Sequence, residues 1–263
     1  MPDEIDQEHE VFLGDGCDTL FGDQGYLPDV SEISYGPVRT VIPEAEGKAF
    51  TQLASQIFNS GLVMTELVEL GRVPFAGKRI LEIGASTSLP TLLASTSENP
   101  PERVLTTDYP DEALIKNLQR NVDMNQALAR CPVQCMPYLW GADVGPLIAT
   151  LPEPERKFDL FISADNLWLH DEHDNLLHTL TSSLSEDGVA FFTTGHYAKR
   201  PAVENFFKRV EALGFEVEEL HYGDKWEGKM EVNLGAGRLR GDLDLKKAAV
   251  WVYKAWRKGS VAA

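Results

Sequence analysis

Short apolar runs alternate with longer amphipathic ones between Lys78 and Lys254. Arg79–Gly84, Arg103–Asp108, Cys135–Trp140, Phe158–Asp165 and Gly188–Thr194 have the length and residue types of strands. Between them, Leu89–Thr96, Asp111–Ala129, Glu172–Leu184 and Ala202–Leu213 read as helices. In the second of these, Leu114, Ile115, Leu118, Val122 and Leu128 fall on one side. Upstream, Phe50, Leu53, Ile57, Val63, Leu67 and Leu70 predict a helix over Ala49–Leu70, stopped by Gly71 and Pro74. Glu216–His221 and Ala248–Lys254 are two late strands. This order predicts an α/β fold: a seven-stranded, mostly parallel sheet with helices on both faces and the last strand antiparallel. Residues 1–45, rich in Gly, Asp and Pro, are expected to be an irregular acidic arm or lid, and residues 46–263 a single domain.

The carboxyl ends of those strands carry the chemistry. Arg79–Gly84 stops in the small-residue loop Gly84-Ala85-Ser86-Thr87-Ser88, and a helix-like segment opens at Leu89-Pro90. A strand that ends this way presents backbone N–H groups and a helix N-terminus to a nucleotide-like ligand, the arrangement of a Rossmann-like sheet. Asp108 ends the next strand, where an acid can accept hydrogen bonds from both ribose hydroxyls of an adenosine. Trp140-Gly141 follows the third strand, where an indole can wall an adenine or close a substrate pocket; Asp143, just beyond, is a weaker adenine partner. Asp165 ends the fourth strand and is followed by Asn166, Trp168, His170 and His173; a polar group there can orient a nucleophile or take its proton.

Composition narrows the partners. The 263 residues carry a formal net charge of −17, which repels phosphate backbones and disfavours nucleic acid while suiting a cationic small molecule or a basic protein segment. No apolar run is long enough to span a bilayer, and the acidic start lacks the profile of a signal peptide, so a cytoplasmic protein is expected. Cys17, Cys131 and Cys135 make no disulfide framework. Neither the Cys131/Cys135 spacing nor the His170/His173 pair has a matching second ligand set, so no metal is expected. A G-x-S-x-G elbow and a P-loop are both absent from the sequence. The oligomeric state is left open.

Taken together, these residues resemble the seven-strand S-adenosylmethionine-dependent methyltransferases. More narrowly they resemble the fungal nicotinamide N-methyltransferase-like group, which includes protein N-terminal and lysine methyltransferases of elongation factor. The resemblance rests on Leu81-Glu82-Ile83-Gly84-Ala85 with Leu89-Pro90, Thr107-Asp108-Tyr109-Pro110-Asp111 with Asn117, Tyr138-Leu139-Trp140-Gly141, the run from Ala164 to His173, and Phe191-Phe192-Thr193. It implies S-adenosylmethionine as cofactor, held by Glu82, Gly84, Ser86, Asp108, Tyr109, Trp140 and Asp165. Gly84 would let the backbone approach the methionine part, Asp108 would hold the ribose and Trp140 the adenine side. Asp165, His196 and Tyr197 are the expected catalytic groups near the acceptor. The chain differs from the family in three places. Gly84-Ala85-Ser86-Thr87-Ser88 stands where Gly-Ala-Gly-x-Gly is usual. Ile57-Phe58-Asn59-Ser60 stands for a Leu-Trp-Asn-Ala-like segment, and Thr193-Thr194-Gly195-His196-Tyr197 for a His-His-Arg-Pro-like run.

Methyl transfer to a nitrogen or oxygen nucleophile of a small molecule or protein side chain is therefore the leading expectation. A non-methylating cyclisation or isomerisation of secondary metabolism on the same fold is the alternative, and a non-catalytic regulator a further one, because fold alone does not choose among them.

Overall fold

The computed structural model describes residues 32–42, 59–152, 157–234 and 242–260. Its centre is a seven-stranded sheet in the order β5-β4-β3-β6-β7-β10-β8. These strands are β3 (Arg79–Ile83), β4 (Arg103–Asp108), β5 (Val133–Pro137), β6 (Phe158–Ala164), β7 (Leu184–Gly195), β8 (Phe215–Leu220) and β10 (Val250–Arg257). The β3–β4, β3–β6, β4–β5 and β6–β7 pairs are parallel. The last strand, β10, inserts between β7 and β8 and runs antiparallel to both, as expected.

Side-chain alternation along each strand builds two apolar layers. On one face Ile80, Val104, Leu160, Ile162, Val189, Phe191 and Val252 pack with Leu62, Val63, Met64 and Leu67 of α1 (Asn59–Glu69) and Leu89, Leu92 and Leu93 of α2 (Leu89–Ser95). On the other, Leu81, Ile83, Phe161, Ala190, Phe192 and Tyr253 pack with α5 (His173–Ser183) and α6 (Arg200–Ala212). α3 (Glu112–Asn125) starts on Asp111, whose carboxylate accepts the N–H groups of Ala113 and Leu114; the short α4 (Gly145–Ile148) follows β5. Among the described residues, no helix is long and apolar enough to cross a membrane.

Two expectations are corrected. The stretch expected to be irregular contains a hairpin, β1 (Glu32–Tyr35) and β2 (Val38–Val41), joined through Gly36 at φ 51. Ile33, Tyr35 and Val38 face inward while Glu32 and Arg39 face out, an alternation around a Gly-Pro turn that outweighs the polar composition of its surroundings. β9 (Val232–Asn233), on the far side of β1, completes a small antiparallel sheet. The remainder of residues 1–45 and the first part of the helix expected over 49–70 lie outside the described residues. Second, the third strand of the main sheet ends at Pro137 rather than Trp140, because Pro137 pairs opposite Asp108 at the end of β4. Trp140 therefore sits in the turn beyond the strand.

A row of asparagines one helical turn apart on α3 ties the hairpin to the main domain. Asn125 exchanges two hydrogen bonds with the Arg39 backbone (3.1 and 2.7 Å). Asn121 does the same with Val41 (2.7 and 3.0 Å), and Asn117 adds a third bond to the Val41 carbonyl (3.0 Å). The edge of β2 thus completes its hydrogen bonding with side-chain amides instead of another strand. Between β8 and β10, α7 (Leu243–Ala248) brings Lys247 to the fully buried Glu66 of α1 at 3.0 Å.

Candidate active site

The loop after β3 has the backbone of a glycine loop built partly from serine. Gly84, Ser86 and Ser88 all have positive φ, at 55°, 49° and 57°. The two serines each carry a cost of about 1 kcal/mol that glycine would avoid. They are held there by hydrogen bonds at both ends of the loop. Ser86 N–H donates to Asp108 Oδ2 (2.6 Å) and Ala85 N–H to the Thr107 carbonyl (3.0 Å). Ser88 Oγ donates to Glu82 Oε2 (2.8 Å) and lies 2.7 Å from Thr91 Oγ1, which itself bonds Glu82. Ser88→Gly is expected to bring no gain in thermal midpoint, since the glycine relieves the positive φ but also removes the hydroxyl that satisfies Glu82. A clear rise in midpoint would contradict this.

Glu82, expected among the cofactor contacts, lies beneath the loop. It is 1% exposed and shares its face of β3 with Ile80. Its carboxylate is taken by Ser88, Thr91 and, at 3.5 Å, Thr106. Strand alternation puts it on the Ile80 face of the sheet, where it holds the loop through Ser88 and Thr91. Burial pushes its pKa up to about 7; the Thr91 and Ser88 hydroxyls oppose the shift and the charge of Asp108 adds to it. A carboxyl whose folded pKa lies above its unfolded one favours the folded state most when protonated. That contribution is complete below about pH 4.5 and is lost as the pH rises through 7. The stability of Glu82→Gln relative to wild type should accordingly improve from pH 5 to pH 8, by on the order of 3 kcal/mol at most. Parallel stability curves for the two proteins across that range would refute it.

Asp108 ends β4 and is 7% exposed. Its two oxygens accept Ser86 N–H and Tyr109 N–H (2.7 Å), and burial raises its pKa to about 6 against those two bonds. Tyr109, half-buried, packs on Leu114. Trp140 lies half-buried against the α5/α6 layer. Beside it Gly141, at φ 80, donates to Thr179 Oγ1 of α5 (3.0 Å). Above Gly84 the space a Cβ would fill is taken by the Asn166 side chain, whose Oδ1 would lie 2.3 Å from it. Asn166 in turn donates to the Ile83 carbonyl and to Ser163 Oγ, both at 3.0 Å, locking the tips of β3 and β6 together. The glycine at 84 thus serves the Asn166 contact as well as the positive φ.

Asp165 follows β6 with φ 67, a left-handed conformation that Asp and Asn adopt more readily than other non-glycine residues. It is 5% exposed. Oδ1 accepts Ser60 Oγ–H of α1 (2.8 Å) and Gly195 N–H (3.1 Å), and Oδ2 accepts the Tyr197 hydroxyl. Burial raises the Asp165 pKa against these three donors, and burial with the Asp165 charge raises that of Tyr197. The structure places Tyr197 against Asp165, and with them Ser60, which is 105 positions away and which sequence reasoning did not single out.

His196, expected beside them, belongs to the other face. Its ring lies 4.3 Å from the Trp251 ring, tilted by 34°, and Arg200 also lies over that indole, at 5.0 Å. Burial and then the Arg200 charge lower its pKa. Trp251 packs with the α5/α6 layer, whereas Ser60 belongs to α1 on the opposite face. The His170 and His173 rings bond the carbonyls of Ala198 (3.1 Å) and Leu167 (2.9 Å), so this pair braces the segment after β6. Among the described residues, no group of three or more His, Cys, Asp or Glu side chains forms a metal site.

Two buried acids at the tips of β4 and β6 thus flank a tightly pinned loop at the tip of β3, the crevice where open α/β sheets bind ligands. Among solved structures, a methyltransferase from Pyrococcus furiosus shares this fold, with a TM-score of 0.51 and 16% identity over 97% of this chain and 98% of that one. The protein N-terminal and lysine N-methyltransferase EFM7 of Gibberella zeae is 31% identical over 77% of this chain and 79% of its own length. The namesake from Aspergillus fumigatus is 30% identical over 80% of this chain and 85% of its own. The lysine methyltransferase family model matches residues 43–213, a span that takes in the loop, Asp108, Asp165 and Tyr197. Geometry and sequence agree: the chain is a methyltransferase and belongs to the lysine methyltransferase family.

Proposed function

We propose that this chain transfers a methyl group from S-adenosylmethionine to a protein nitrogen, either an α-amino terminus or a lysine ε-amine. The observation that carries the reading is the Asp165 carboxylate, buried at the tip of β6, whose donors among the described residues are the neutral groups of Ser60, Gly195 and Tyr197. An ammonium group is the natural counterpart of such a carboxylate. The relatives' names, protein N-terminal and lysine N-methyltransferase, point to the same acceptor class.

The donor set fits the cofactor. A carboxylate offers about four acceptor directions, and the Ser86 and Tyr109 amides use two on Asp108, leaving capacity for a ribose diol. Tyr109 and Trp140 supply aromatic surface on either side of that carboxylate in the chain. When bound, the cofactor supplies an electrophilic methyl on a sulfonium. The protein has only to align the acceptor nitrogen and remove its proton. Asp165 holds the ammonium and receives its proton, and its burial-raised pKa suits that step. Ser60 and Gly195 fix the carboxylate while it does so. The exposed acids Glu112, Asp143 and Asp171, in the segments that follow β4, β5 and β6, favour a basic protein segment.

The test is to incubate the purified protein with methyl-labelled S-adenosylmethionine and a cell lysate, then map the label by tandem mass spectrometry. Label on an α-amino group or a lysine ε-amine is expected. Consumption of cofactor with label only in small molecules would overturn the protein-acceptor reading.

A further inference from the structure

We propose that Tyr197 is a built-in stand-in for the acceptor: its hydroxyl holds the one Asp165 oxygen that Ser60 and Gly195 leave open, and the substrate ammonium takes its place when the Tyr197 ring leaves Gly195. This rests on reading Asp165 as the acceptor's partner. The three donors on Asp165 are not equivalent. Ser60 lies on α1 and is fully buried, and Gly195 donates from the backbone of β7. Both are fixed by the core, and both go to Oδ1. Among the described residues Tyr197 alone goes to Oδ2; it is half-buried and sits on the short turn His196–Ala198 between β7 and α6.

That turn is anchored on either side of Tyr197. His196 N–H bonds the Ala249 carbonyl (3.0 Å) and its ring lies tilted against Trp251, while Lys199 closes the turn at φ 58. The movement proposed is of the Tyr197 side chain, with these flanking residues held. Its ring lies over Gly195, where a Cβ would stand only 2.2 Å from Tyr197 Cε1. A glycine at 195 is what admits the ring to this position.

The exchange also selects for charge. A phenol gives the carboxylate a hydrogen bond assisted by one charge; an ammonium gives one assisted by two, in a site of low dielectric. An amine gains by displacing Tyr197, whereas a neutral alcohol trades one hydroxyl for another. The stand-in thus admits cationic nitrogen acceptors and holds back neutral oxygen acceptors.

Two substitutions test this independently: Tyr197→Phe removes the hydroxyl but keeps the ring, and Gly195→Ala expels the ring but keeps the hydroxyl. Calorimetry would follow a short peptide with a free amino terminus and a lysine, binding to protein saturated with S-adenosylhomocysteine. Label transfer would give kcat and KM for the same peptide. Both variants are expected to bind the peptide about five- to tenfold more tightly and to lower its KM alike, with the cofactor dissociation constant unchanged. Unchanged or weaker peptide binding in Tyr197→Phe overturns the proposal, as does a lower kcat with KM constant, which would make Tyr197 part of the chemistry. Tighter peptide binding by both variants without label transfer by any form would retain the stand-in and reject the proposed function. Absence of peptide binding to all three proteins would reject both.

Discussion

Asp165→Asn is expected to lower kcat/KM for a protein acceptor by about 10²–10³-fold, or about 3–4 kcal/mol of transition-state stabilisation. The substitution isolates charge from shape. Asparagine tolerates the left-handed conformation that Asp165 adopts at φ 67. Its amide oxygen still accepts from Ser60 and Gly195, as Oδ1 does now. Only the second oxygen changes, to an NH₂ group that donates where the carboxylate accepted. The Tyr197 hydroxyl must then reverse its role, and an approaching ammonium meets a donor instead of an anion. The cofactor dissociation constant should hold within about threefold, because the change preserves local geometry. The pH dependence carries a sign as well. Burial raises the Asp165 pKa, so the carboxylate needed to hold the acceptor is lost as pH falls through that value, and wild-type turnover should fall with it. Steady-state label transfer at saturating cofactor measures the effect. A variant within tenfold of wild type would remove Asp165 from the acceptor site.

How much of this was legible in the sequence depended on whether the signal was local. Four of the five parallel strands, β3, β4, β6 and β7, announced themselves because each is an apolar run largely buried on both faces; β5, at the sheet edge, is only partly buried, and its bounds were displaced. The hairpin was equally periodic, with Ile33, Tyr35 and Val38 alternating around Gly36-Pro37, but it lies next to a stretch whose composition argued for irregular chain. β9 was hidden for another reason: two residues make no pattern, and Val232 is a strand only because Tyr35 lies opposite.

At the site, strand-tip acids were readable because fold class fixes where ligands bind, which places Asp108 and Asp165 before any contact is known. Their partners were not readable. Ser60 reaches Asp165 from a helix 105 positions away and Asn166 reaches the neighbouring strand tip, and no sequence pattern specifies either contact. Two misplacements were avoidable. Strand period alone puts Glu82 on the face of Ile80, beneath the loop. The same period, continued past Gly195, separates the His196 ring from the Gly195 face of the sheet. Adjacency in sequence suggested one cluster where alternation makes two.

Asp108→Ala is expected to weaken S-adenosylmethionine binding by about 1–3 kcal/mol, roughly five- to 150-fold in dissociation constant. Two losses combine in that figure. The ribose hydroxyls lose a charged acceptor, and the Ser86 and Tyr109 N–H groups lose theirs. The second loss matters because Ser86 sits at φ 49 and is pinned there by Asp108 Oδ2. Once freed, it can relax and carry the loop away from ligand-bound geometry.

Asp108→Asn separates the two contributions. It keeps an acceptor oxygen for one of the amides but removes the charge. The carboxyl has a folded pKa of about 6, above its ordinary value of 3.8. Its favourable contribution to the free protein is therefore complete below about pH 3.8 and is lost as pH rises through 6. At pH 8 the ligand-free asparagine variant should then melt at or above the wild-type temperature even though it binds cofactor more weakly. Wild-type affinity should also fall as pH drops below about 6, while the variant's stays level. Calorimetric titration between pH 5 and pH 8, with melting curves of the free proteins, gives both readouts. If the variant binds as wild type does at every pH, the cofactor's ribose is held elsewhere, and the Asp108 charge serves only to pin the loop.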